Sequence, residues 1–388
     1  MQLALVGVGQ AGGKIVDAIV SYDRRAEMGF VHDAVAVNTA RADLLGLETV
    51  PLDRRVLVGG SRLKGHGTGA DNELGADVAS EDLDDVMAAI DEVGVHEVDA
   101  FLLVAGLGGG TGSGAGPVIA RELGRRYTEP VYGLGVLPGR DEGSIYTLNA
   151  ARSFLTFVDH VDNLLVFDND AWREGQESLR AGYDRLNDEV ARRLGVLFAA
   201  GEVREGTPVA ESVVDASEVI NTLRSGGVST VGYAATAVDR PRRGLFARSS
   251  PAPDVGDATN RVLATVRRAA LGRLTLPCNL ASAERALVVV SGPPEYLDRK
   301  GIERSRRWIE EITGSMEVRG GDYPIDSNYV AASVLFAGVT DVPRIEELKS
   351  VAVETQRAMR EVEREARAGL RDLPWSGDGE GGGIEPLF

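Results

Sequence analysis

The sequence of 388 residues contains a single cysteine, Cys278, so it can form neither a disulfide framework nor a cysteine-rich metal site. We expect this thiol to lie in the core of a protein from a reducing compartment. No apolar run reaches the roughly 18 residues that a membrane-spanning helix needs, and residues 1–7 lack the basic segment of a signal peptide. These absences predict a cytoplasmic protein without a transmembrane segment.

Lysine is also scarce: Lys14, Lys64, Lys300 and Lys349 stand against 59 acidic residues, and the formal net charge is −17. Such a surface either suits a cytoplasm of high salt, where salt screens the repulsion between like charges, or reflects acidic drift with a preference for arginine. The lack of a basic face argues against a duplex nucleic-acid partner. The hydrophobic fraction of 43% indicates a globular chain, long enough for two domains.

Glycine, by contrast, is concentrated in residues 106–117. This stretch follows an apolar run over residues 98–105, which predicts a buried strand, and precedes a predicted helix from Val118. A strand, a glycine loop and a helix N terminus bind phosphate well, because backbone N–H groups can point at the anion. A glycine linker is the alternative, but linkers do not usually separate a buried strand from a helix.

The glycines of this stretch are predicted to adopt positive φ, and Pro117 to lie in the first helical turn, where its missing N–H costs nothing. Thr111 and Ser113 add hydroxyl donors. The candidate phosphate ligands are Gly108, Gly109, Gly110, Thr111, Gly112, Ser113 and Gly114.

Two further glycine loops accompany other predicted strands. Residues 7–13 follow a strand over residues 2–6 and match G-x-G-x-x-G, a weak signal for dinucleotide binding. That fingerprint expects an acidic residue after the second strand; here the residue is Asn38, which either caps the next helix or contacts a nucleotide. The third loop, residues 65–72, leads into a helix. Three loops exceed what one dinucleotide needs and could hold several phosphates, although the chain has no P-loop.

Two pairs of polar residues lie at helical spacings farther along the chain. Tyr183 and Asn187 share one side of a predicted long helix, so they either meet one ligand, such as a purine base, or form a core tyrosine with its partner. Asp215 and Glu218 also share one helix face. From spacing alone, we interpret the carboxylate pair as a solvated first turn that the helix dipole favours.

The order of predicted elements indicates an α/β fold: a Rossmann-like domain with a parallel sheet, a long central helix and a smaller C-terminal α+β domain. The α+β domain includes a predicted helix over residues 259–271 and a strand over residues 315–318, after an exposed loop over residues 240–256. The predicted divisions are residues 1–175 (nucleotide-binding domain), 176–200 (central helix), 201–222 (acidic loop and helix start), 223–341 (α+β domain), 342–373 (C-terminal helix) and 374–388 (a disordered tail).

Residues 108–114, Gly-Gly-Gly-Thr-Gly-Ser-Gly, resemble the signature loop of the tubulin/FtsZ superfamily. Residues 9–12, Gly-Gln-Ala-Gly, are similar to the first loop of tubulins, and residues 67–71, Gly-Thr-Gly-Ala-Asp, to the third loop of FtsZ. Residues 163–170 resemble the FtsZ segment that ends in Pro-Asn-Asp. The order and spacing of these segments hold over roughly residues 1–340. The mixture of tubulin-like and FtsZ-like features and the acidic, lysine-poor composition make the chain most similar to the CetZ group of halophilic archaea.

The resemblance implies a GTP/GDP pocket, with Mg²⁺ held through the phosphates and no protein ligand assigned to it. Asp215 and Glu218 would enter the nucleotide site of the next subunit in a head-to-tail homopolymer, where Glu218 would orient the attacking water. The implied nucleotide ligands are Gln10, Ala11, Gly12, Lys14 and residues 108–114 at the phosphates, Ala70 and Asp71 near the γ-phosphate, Glu142 at the ribose, and Asn169, Tyr183 and Asn187 at the guanine.

Several positions depart from the FtsZ pattern. FtsZ has an asparagine near Lys14 and an arginine near Tyr146, and it has aspartate where this chain has Glu218. The asparagine that precedes the acidic pair in FtsZ is replaced by Val213. These departures imply slow or differently controlled hydrolysis.

The first hypothesis is therefore a cytoskeletal GTPase that is activated by its own assembly and controls cell shape. An FtsZ-like division protein is the alternative; residues 384–388, Ile-Glu-Pro-Leu-Phe, match that family's anchor peptide only loosely and could dock another protein partner. A dinucleotide-binding oxidoreductase that uses Gly7, Gly9 and Gly12 is an alternative of another class. A third hypothesis is a structural protein that binds a nucleotide without hydrolysing it.

Overall fold

The computed structural model describes residues 1–172, 179–202, 212, 214–238 and 255–371. The predicted tail over residues 374–388, most of the predicted exposed loop over residues 240–256, and residues 203–211 of the acidic loop lie outside these ranges. No described helix combines the length and the apolar character needed to cross a bilayer.

Within the described residues, ten strands form one sheet in the order β3-β2-β1-β4-β5-β6-β7-β10-β8-β9. Strands β1 to β6 are parallel, and β10 runs antiparallel to both of its neighbours. The strands are β1 Leu3–Val8, β2 Val31–Asn38, β3 Arg55–Leu57, β4 Ala100–Gly106, β5 Val131–Leu137, β6 Asn163–Asp168, β7 Val228–Ala237, β8 Arg285–Gly292, β9 Glu317–Pro324 and β10 Tyr329–Ala337.

Helices cover both faces of this sheet, as parallel strands require. They are α1 Gly9–Ala26, α2 Arg41–Leu45, α3 Gly60–Leu63, α4 Asn72–Glu81, α5 Leu83–Asp91, α6 Thr111–Arg126, α7 Ser144–Val158, α8 Asn169–Trp172, α9 Leu179–Ala199, α10 Ala216–Leu223, α11 Val255–Leu271, α12 Arg299–Thr313 and α13 Pro343–Arg371. The predicted α/β fold, with its central helix and its smaller mixed C-terminal half, is confirmed.

Three predicted boundaries were wrong. Helix α11 begins at Val255, so the last two residues of the predicted exposed loop are helical. Strand β9 runs from Glu317 to Pro324 instead of ending at Val318, because it pairs with β8 along its whole length. Helix α6 begins at Thr111, inside the glycine stretch, which places Pro117 in the helix interior and not in its first turn.

Apolar residues pack on both faces of the sheet. Along β1, Ala4, Val6 and Val8 contribute to one core, whereas Leu3 and Leu5 contribute to the other. This alternation follows the pleat of a strand, whose successive side chains point to opposite faces. Cys278 is half-buried against the first core, and burial raises the pKa of its thiol to about 11.

The two halves of the sheet meet at β6 and β7, which pair through Leu164–Val228 and Leu165–Ser229. The central helix α9 packs against α1 on one side and against β7, β8 and β10 on the other. With a rise of about 1.5 Å per residue, a helix of this length extends roughly 30 Å. It therefore connects two distant ends of the molecule. The proposed domain boundaries remain predictions.

A buried ion pair fixes α13 to the end of β6. Arg344 Nε lies 3.4 Å from Asp168 Oδ1, and Arg344 Nη2 donates to the carbonyl oxygen of Pro138 at 2.8 Å. The side chain of Arg344 is 6% exposed and that of Asp168 is 4% exposed, so the pair is buried. Burial raises the pKa of Asp168, and the positive charge of Arg344 opposes that rise.

Replacing Arg344 with methionine should lower the free energy of unfolding by about 3 kcal/mol near pH 7.5, because it leaves Asp168 buried without its counter-charge. The pKa of Asp168 in the folded protein then rises further above its unfolded value of about 4. Since a raised pKa destabilises only where the unfolded carboxyl is ionised, the loss should shrink as the pH falls to about 5.

Urea denaturation of R344M at the two pH values tests this expectation. The exposed Lys349→Met, which breaks a surface pair with Glu346, is the control and should change stability by less than about 0.5 kcal/mol. Equal losses for R344M at both pH values would contradict the assignment of the effect to Asp168.

Candidate nucleotide site

The first glycine loop (residues 7–13) and the second (residues 106–117) meet at the carboxyl ends of β1 and β4. A Cβ atom built on Gly9 would lie 2.7 Å from the backbone nitrogen of Gly112, so the starts of α1 and α6 are in contact. Gly9 has a φ of 73°, which glycine adopts without strain. Any side chain at this position would separate the two helix N termini.

The glycines over residues 108–114 serve close packing, and the prediction that they adopt positive φ was wrong. A Cβ on Gly110 would lie 2.0 Å from Thr68 Oγ1, and one on Gly114 would lie 2.1 Å from the carbonyl oxygen of Asn72. The second loop is thus pressed against the third loop and the start of α4. Gly109 has no atom within 4 Å of its Cβ position, so it borders open space.

Both helix N termini at this contact lack a side-chain cap. The cap residue of α1 is Val8, whose apolar side chain accepts no hydrogen bond, and that of α6 is Gly110, which has no side chain. The first four N–H groups of a helix have no acceptor within that helix, and they carry partial positive charge. Two such ends in contact with each other fit an anion with several phosphate groups.

Of the two predicted hydroxyl donors, one joins the second loop to its neighbour and the other bonds within the second loop. Thr111 Oγ1 lies 2.6 Å from Thr39 Oγ1, which connects the second loop to the end of β2. Ser113 Oγ donates to the carbonyl oxygens of Gly109 and Gly110. These contacts position the backbone of the loop.

Asn38 is 3% exposed and organises the turn after β2. Its Oδ1 accepts from the backbone nitrogens of Thr39 and Ala40, and its Nδ2 donates to Asp43 Oδ2 at 3.3 Å. It does not cap α2, whose cap residue is Ala40. Gln10 Nε2 donates to the other oxygen of Asp43 at 3.1 Å, so this network links α1 to the turn.

The third loop reaches the site through Ala70 and Asp71. Ala70 has a φ of 66°, unusual for a residue with a side chain, and Asp71 caps α4 by accepting from the backbone nitrogen of Leu74 at 3.0 Å. Asn149 Nδ2 donates to the carbonyl oxygens of Ala70 at 2.7 Å and Gly108 at 3.2 Å. One side chain therefore fixes two loops.

Sequence reasoning missed Asn149. It lies on α7, where it is 2% exposed between apolar neighbours. A buried amide needs hydrogen-bond partners, so an asparagine at an apolar position of this helix was a usable signal.

Of the remaining predicted ligands, Glu142 follows β5 and Asn169 follows β6 at this edge of the sheet, and Tyr183 and Asn187 lie on α9. Glu142 Oε1 accepts from the backbone nitrogen of Gly139 at 2.7 Å, which tightens the loop after β5. Asn169 begins α8 directly after β6 and is 9% exposed, whereas Tyr183 near the start of α9 is 37% exposed. The exposed predicted ligands are Gln10, Ala11 and Lys14 on α1, Gly12 is buried beneath them, and Asn187 on α9 is half-buried.

The acidic pair lies at the opposite edge of the sheet. A Cβ on Gly201, just after α9, would lie 2.9 Å from the carbonyl oxygen of Val214, next to Asp215. The adjoining Glu202 accepts from Gln2 Nε2 at 2.5 Å, immediately before β1 begins. Asp215 and Glu218 are therefore near the amino end of β1, whereas the glycine loops follow its carboxyl end. One chain does not bring the two sets together.

The two carboxylates have different surroundings. Asp215 caps α10 by accepting from the backbone nitrogen of Glu218 at 3.1 Å, and its hydrogen bond from Ser217 Oγ lowers its pKa. Glu218 Oε2 is buried without a hydrogen-bond partner among the described residues. Burial raises the pKa of Glu218, and the charge of Asp215 raises it further. Asp215 is the helix cap, and Glu218 is the carboxylate left for other chemistry.

Within the described ranges, no group of three or more His, Cys, Asp and Glu side chains is arranged to hold a metal ion.

Comparisons with known proteins cover nearly the whole chain. A model described as the tubulin/FtsZ family GTPase domain matches residues 2–176, and one described as the tubulin-like CetZ C-terminal domain matches residues 176–354. The tubulin-like protein CetZ3 of Haloferax volcanii is 66% identical over 392 residues, which cover 100% of each chain.

Two solved structures from Haloferax volcanii share the fold. CetZ1, described as a GDP-bound monomer, superimposes with a TM-score of 0.83 at 61% identity and covers 92% of this chain and 100% of its own. CetZ2, described as a GTPγS-bound protofilament, has a TM-score of 0.83 at 46% identity and covers 93% and 100%. This likeness leaves no support for the dinucleotide-binding oxidoreductase. The chain belongs to the tubulin/FtsZ family, in its CetZ group.

Proposed function

We propose that this protein is a GTPase that assembles head to tail into filaments and hydrolyses GTP where two subunits meet. The observation that carries the proposal is the separation of the glycine loops and the acidic pair to opposite edges of one sheet. Stacking one copy on the next brings the acidic edge of one onto the nucleotide edge of the other. The GDP-bound monomer of CetZ1 and the GTPγS-bound protofilament of CetZ2 support this arrangement.

The phosphates would lie against the paired N termini of α1 and α6. Backbone N–H groups of Gln10, Ala11, Gly12 and residues 108–113 would donate to phosphate oxygens, with Lys14 nearby on α1 and Ala70 and Asp71 near the γ-phosphate. Mg²⁺ bound by the phosphate oxygens would neutralise part of their negative charge. Asn38 would act indirectly, because its polar atoms already hold the turn after β2.

The nucleoside would lie between α8, the start of α9 and the loop after β5. Asn169 and Asn187 carry amides that can pair with the edge of a purine, and Tyr183 offers a ring on which the base can stack. Glu142 would accept a hydrogen bond from the ribose. The partial exposure of Tyr183 is what a stacking surface on a free subunit requires.

Glu218 would orient the attacking water. Water adds to the γ-phosphorus as the bond to the β-phosphate oxygen breaks, which yields GDP and phosphate. A carboxylate whose pKa is raised by burial accepts the proton of the water more readily than an exposed glutamate does. Assembly thereby activates hydrolysis, because only a docked neighbour supplies this carboxylate.

We further propose a role in cell shape, which is the role that resemblance to the CetZ group implies, and a protein partner for the tail that ends in residues 384–388. A division role is the competing proposal. Deleting the gene and measuring cell outline and septum formation separates the two.

GTP turnover per subunit should rise steeply with protein concentration and fall roughly a hundredfold or more in Glu218→Gln, while GTP binding stays unchanged. The physical reason is that E218Q keeps the nucleotide edge intact but cannot accept a proton. Turnover, sedimentation with GTP or GDP, and equilibrium GTP binding are measured on the same preparations.

Glu311→Gln is a matched control on the exposed side of α12, and it should retain full turnover. Turnover per subunit that is independent of concentration would overturn hydrolysis at the subunit contact. Normal turnover in E218Q would overturn the role given to this carboxylate.

Asn149→Ala should weaken GTP binding roughly tenfold, or about 1.4 kcal/mol. It removes the hydrogen bonds to Ala70 and Gly108 that fix two loops, each worth about 1 kcal/mol. Nucleotide titration of the unassembled protein measures the loss. Asn328→Ala, at an exposed asparagine before β10, is the control; equal affinities of N149A and the control would contradict the positioning role of Asn149.

A further inference from the structure

Alternate residues of strand β9 face α10 and the segment before it, which carry Glu218 and Asp215. A Cβ on Gly321 would lie 2.0 Å from the carbonyl oxygen of Ser212 and 2.9 Å from Val214 Cγ2, so Gly321 faces the segment that leads into α10. Gly320 faces the other way, towards Arg306 of α12. Because side chains two residues apart share one face of a strand, Arg319 lies on the same face as Gly321, against α10.

Arg319 and Glu218 both carry buried polar atoms without partners. Arg319 Nε and Glu218 Oε2 are each buried and unbonded among the described residues. A buried polar atom without a hydrogen bond is costly, by about 1–3 kcal/mol. Two such atoms of opposite charge, on packed elements at the edge that carries the acidic pair, call for a functional explanation.

We propose that Arg319 is a positioning residue for hydrolysis: from β9 of the same subunit, its guanidinium keeps the Glu218 carboxylate ionised and directed at the neighbouring subunit's nucleotide. The proposal rests on the proposed function of Glu218. Nothing in it requires Arg319 to touch the nucleotide.

The other charged groups around α10 are already engaged. Asp215 on α10 is its cap, and Arg306 donates from Nε and Nη2 to the carbonyl oxygen of Val318. On β8, Arg285 donates to the carbonyl oxygen of Asn221 and pairs with Glu317.

Glu202, after α9, accepts from Gln2. Arg285 Nε is also buried without a hydrogen bond, but it lies 3.0 Å from Glu317 Oε2 in an ion pair. Among the described residues, Arg319 is thus the cation on the face of β9 against α10 whose buried N–H is left to serve Glu218.

Docking of a neighbouring subunit increases the need for a positive charge beside the Glu218 carboxylate. When a second copy covers the acidic edge, water is displaced and the cost of an isolated carboxylate rises. Burial and Asp215 already raise the pKa of Glu218, and the charges of Arg319 and Arg306 oppose that rise. Without Arg319, Glu218 would take up a proton at a higher pH and lose its ability to accept one from water.

The test is the pH profile of GTP turnover in assembled protein for the wild type, Arg319→Gln and Arg319→Lys. The acid limb is the part of this profile in which turnover falls as the pH is lowered. R319Q should shift the acid limb to higher pH by about half a unit to one unit, so that turnover at a given pH on the limb falls roughly three- to tenfold. The plateau at high pH should stay close to that of the wild type, and R319K should restore most of the limb. GTP affinity of the unassembled subunit should not change, because the nucleotide edge is at the other end of the sheet.

Arg299→Gln, at an arginine of α12 that is 69% exposed, is the matched control and should keep the wild-type profile. Sedimentation and thermal unfolding are measured for every variant. An unchanged acid limb in R319Q overturns the inference. Loss of assembly or of turnover at all pH values, not rescued by lysine, also overturns it, because it points to a purely structural role.

The variant E218Q separates this inference from the proposed function. If E218Q keeps turnover and an acid limb, the role of Glu218 fails, and the inference falls with it. If E218Q is inactive while R319Q behaves as the wild type, the role of Glu218 stands and only the inference about Arg319 is overturned.

Discussion

The contact between the N termini of α1 and α6 is the constraint on which the rest of the molecule depends. It exists because Gly9 and Gly112 have no side chains to keep the helices apart. The first six strands hold the geometry by fixing β1 beside β4 in a parallel register. Thr39, Asn38 and Asn149 then join the neighbouring loops to this contact through hydrogen bonds. The result is a rigid, electropositive backbone surface on a protein whose overall charge is strongly negative.

The long helix α9 explains why the two sets of candidate site residues lie at two edges of the sheet instead of one. It begins beside the proposed base-binding residues and ends next to Gly201, which is packed against Val214. A length of roughly 30 Å prevents residues at its two ends from meeting within one chain. An acidic pair at the far end is therefore chemically isolated from its own glycine loops.

The fold was predictable because its signals were strong and local: apolar runs followed by glycine loops, and a long amphipathic helix. The glycine loop over residues 108–114 was located correctly, but the reason predicted for its glycines, positive φ, was wrong. These glycines are needed for tertiary contacts with Thr68 and Asn72, which a local sequence pattern does not contain. Pro117 was placed wrongly because α6 extends into the glycine stretch, where packing against α4 outweighs the low helix propensity of glycine.

The site was less accessible to prediction than the fold. Spacing put Asp215 and Glu218 on one helix face but could not distinguish a helix cap from a free carboxylate; that distinction depends on Ser217 and on the burial beside β9. Asn149 and Arg319 are single polar residues whose partners come from distant parts of the chain, so no short motif contains them. The roles proposed for the nucleotide ligands remain predictions.

The unlike edges of this subunit give any head-to-tail stack a direction. A contact between two different surfaces repeats without end unless its rotation closes a ring. In an open stack, the last copy at one tip therefore exposes its glycine loops, and the last copy at the other tip exposes Asp215 and Glu218. If hydrolysis requires Glu218 of a docked neighbour, as proposed, the subunit whose glycine loops are uncovered lacks that carboxylate. Its GTP would then be hydrolysed later than GTP in the interior, and the two tips of the stack would differ in the nucleotide that they hold.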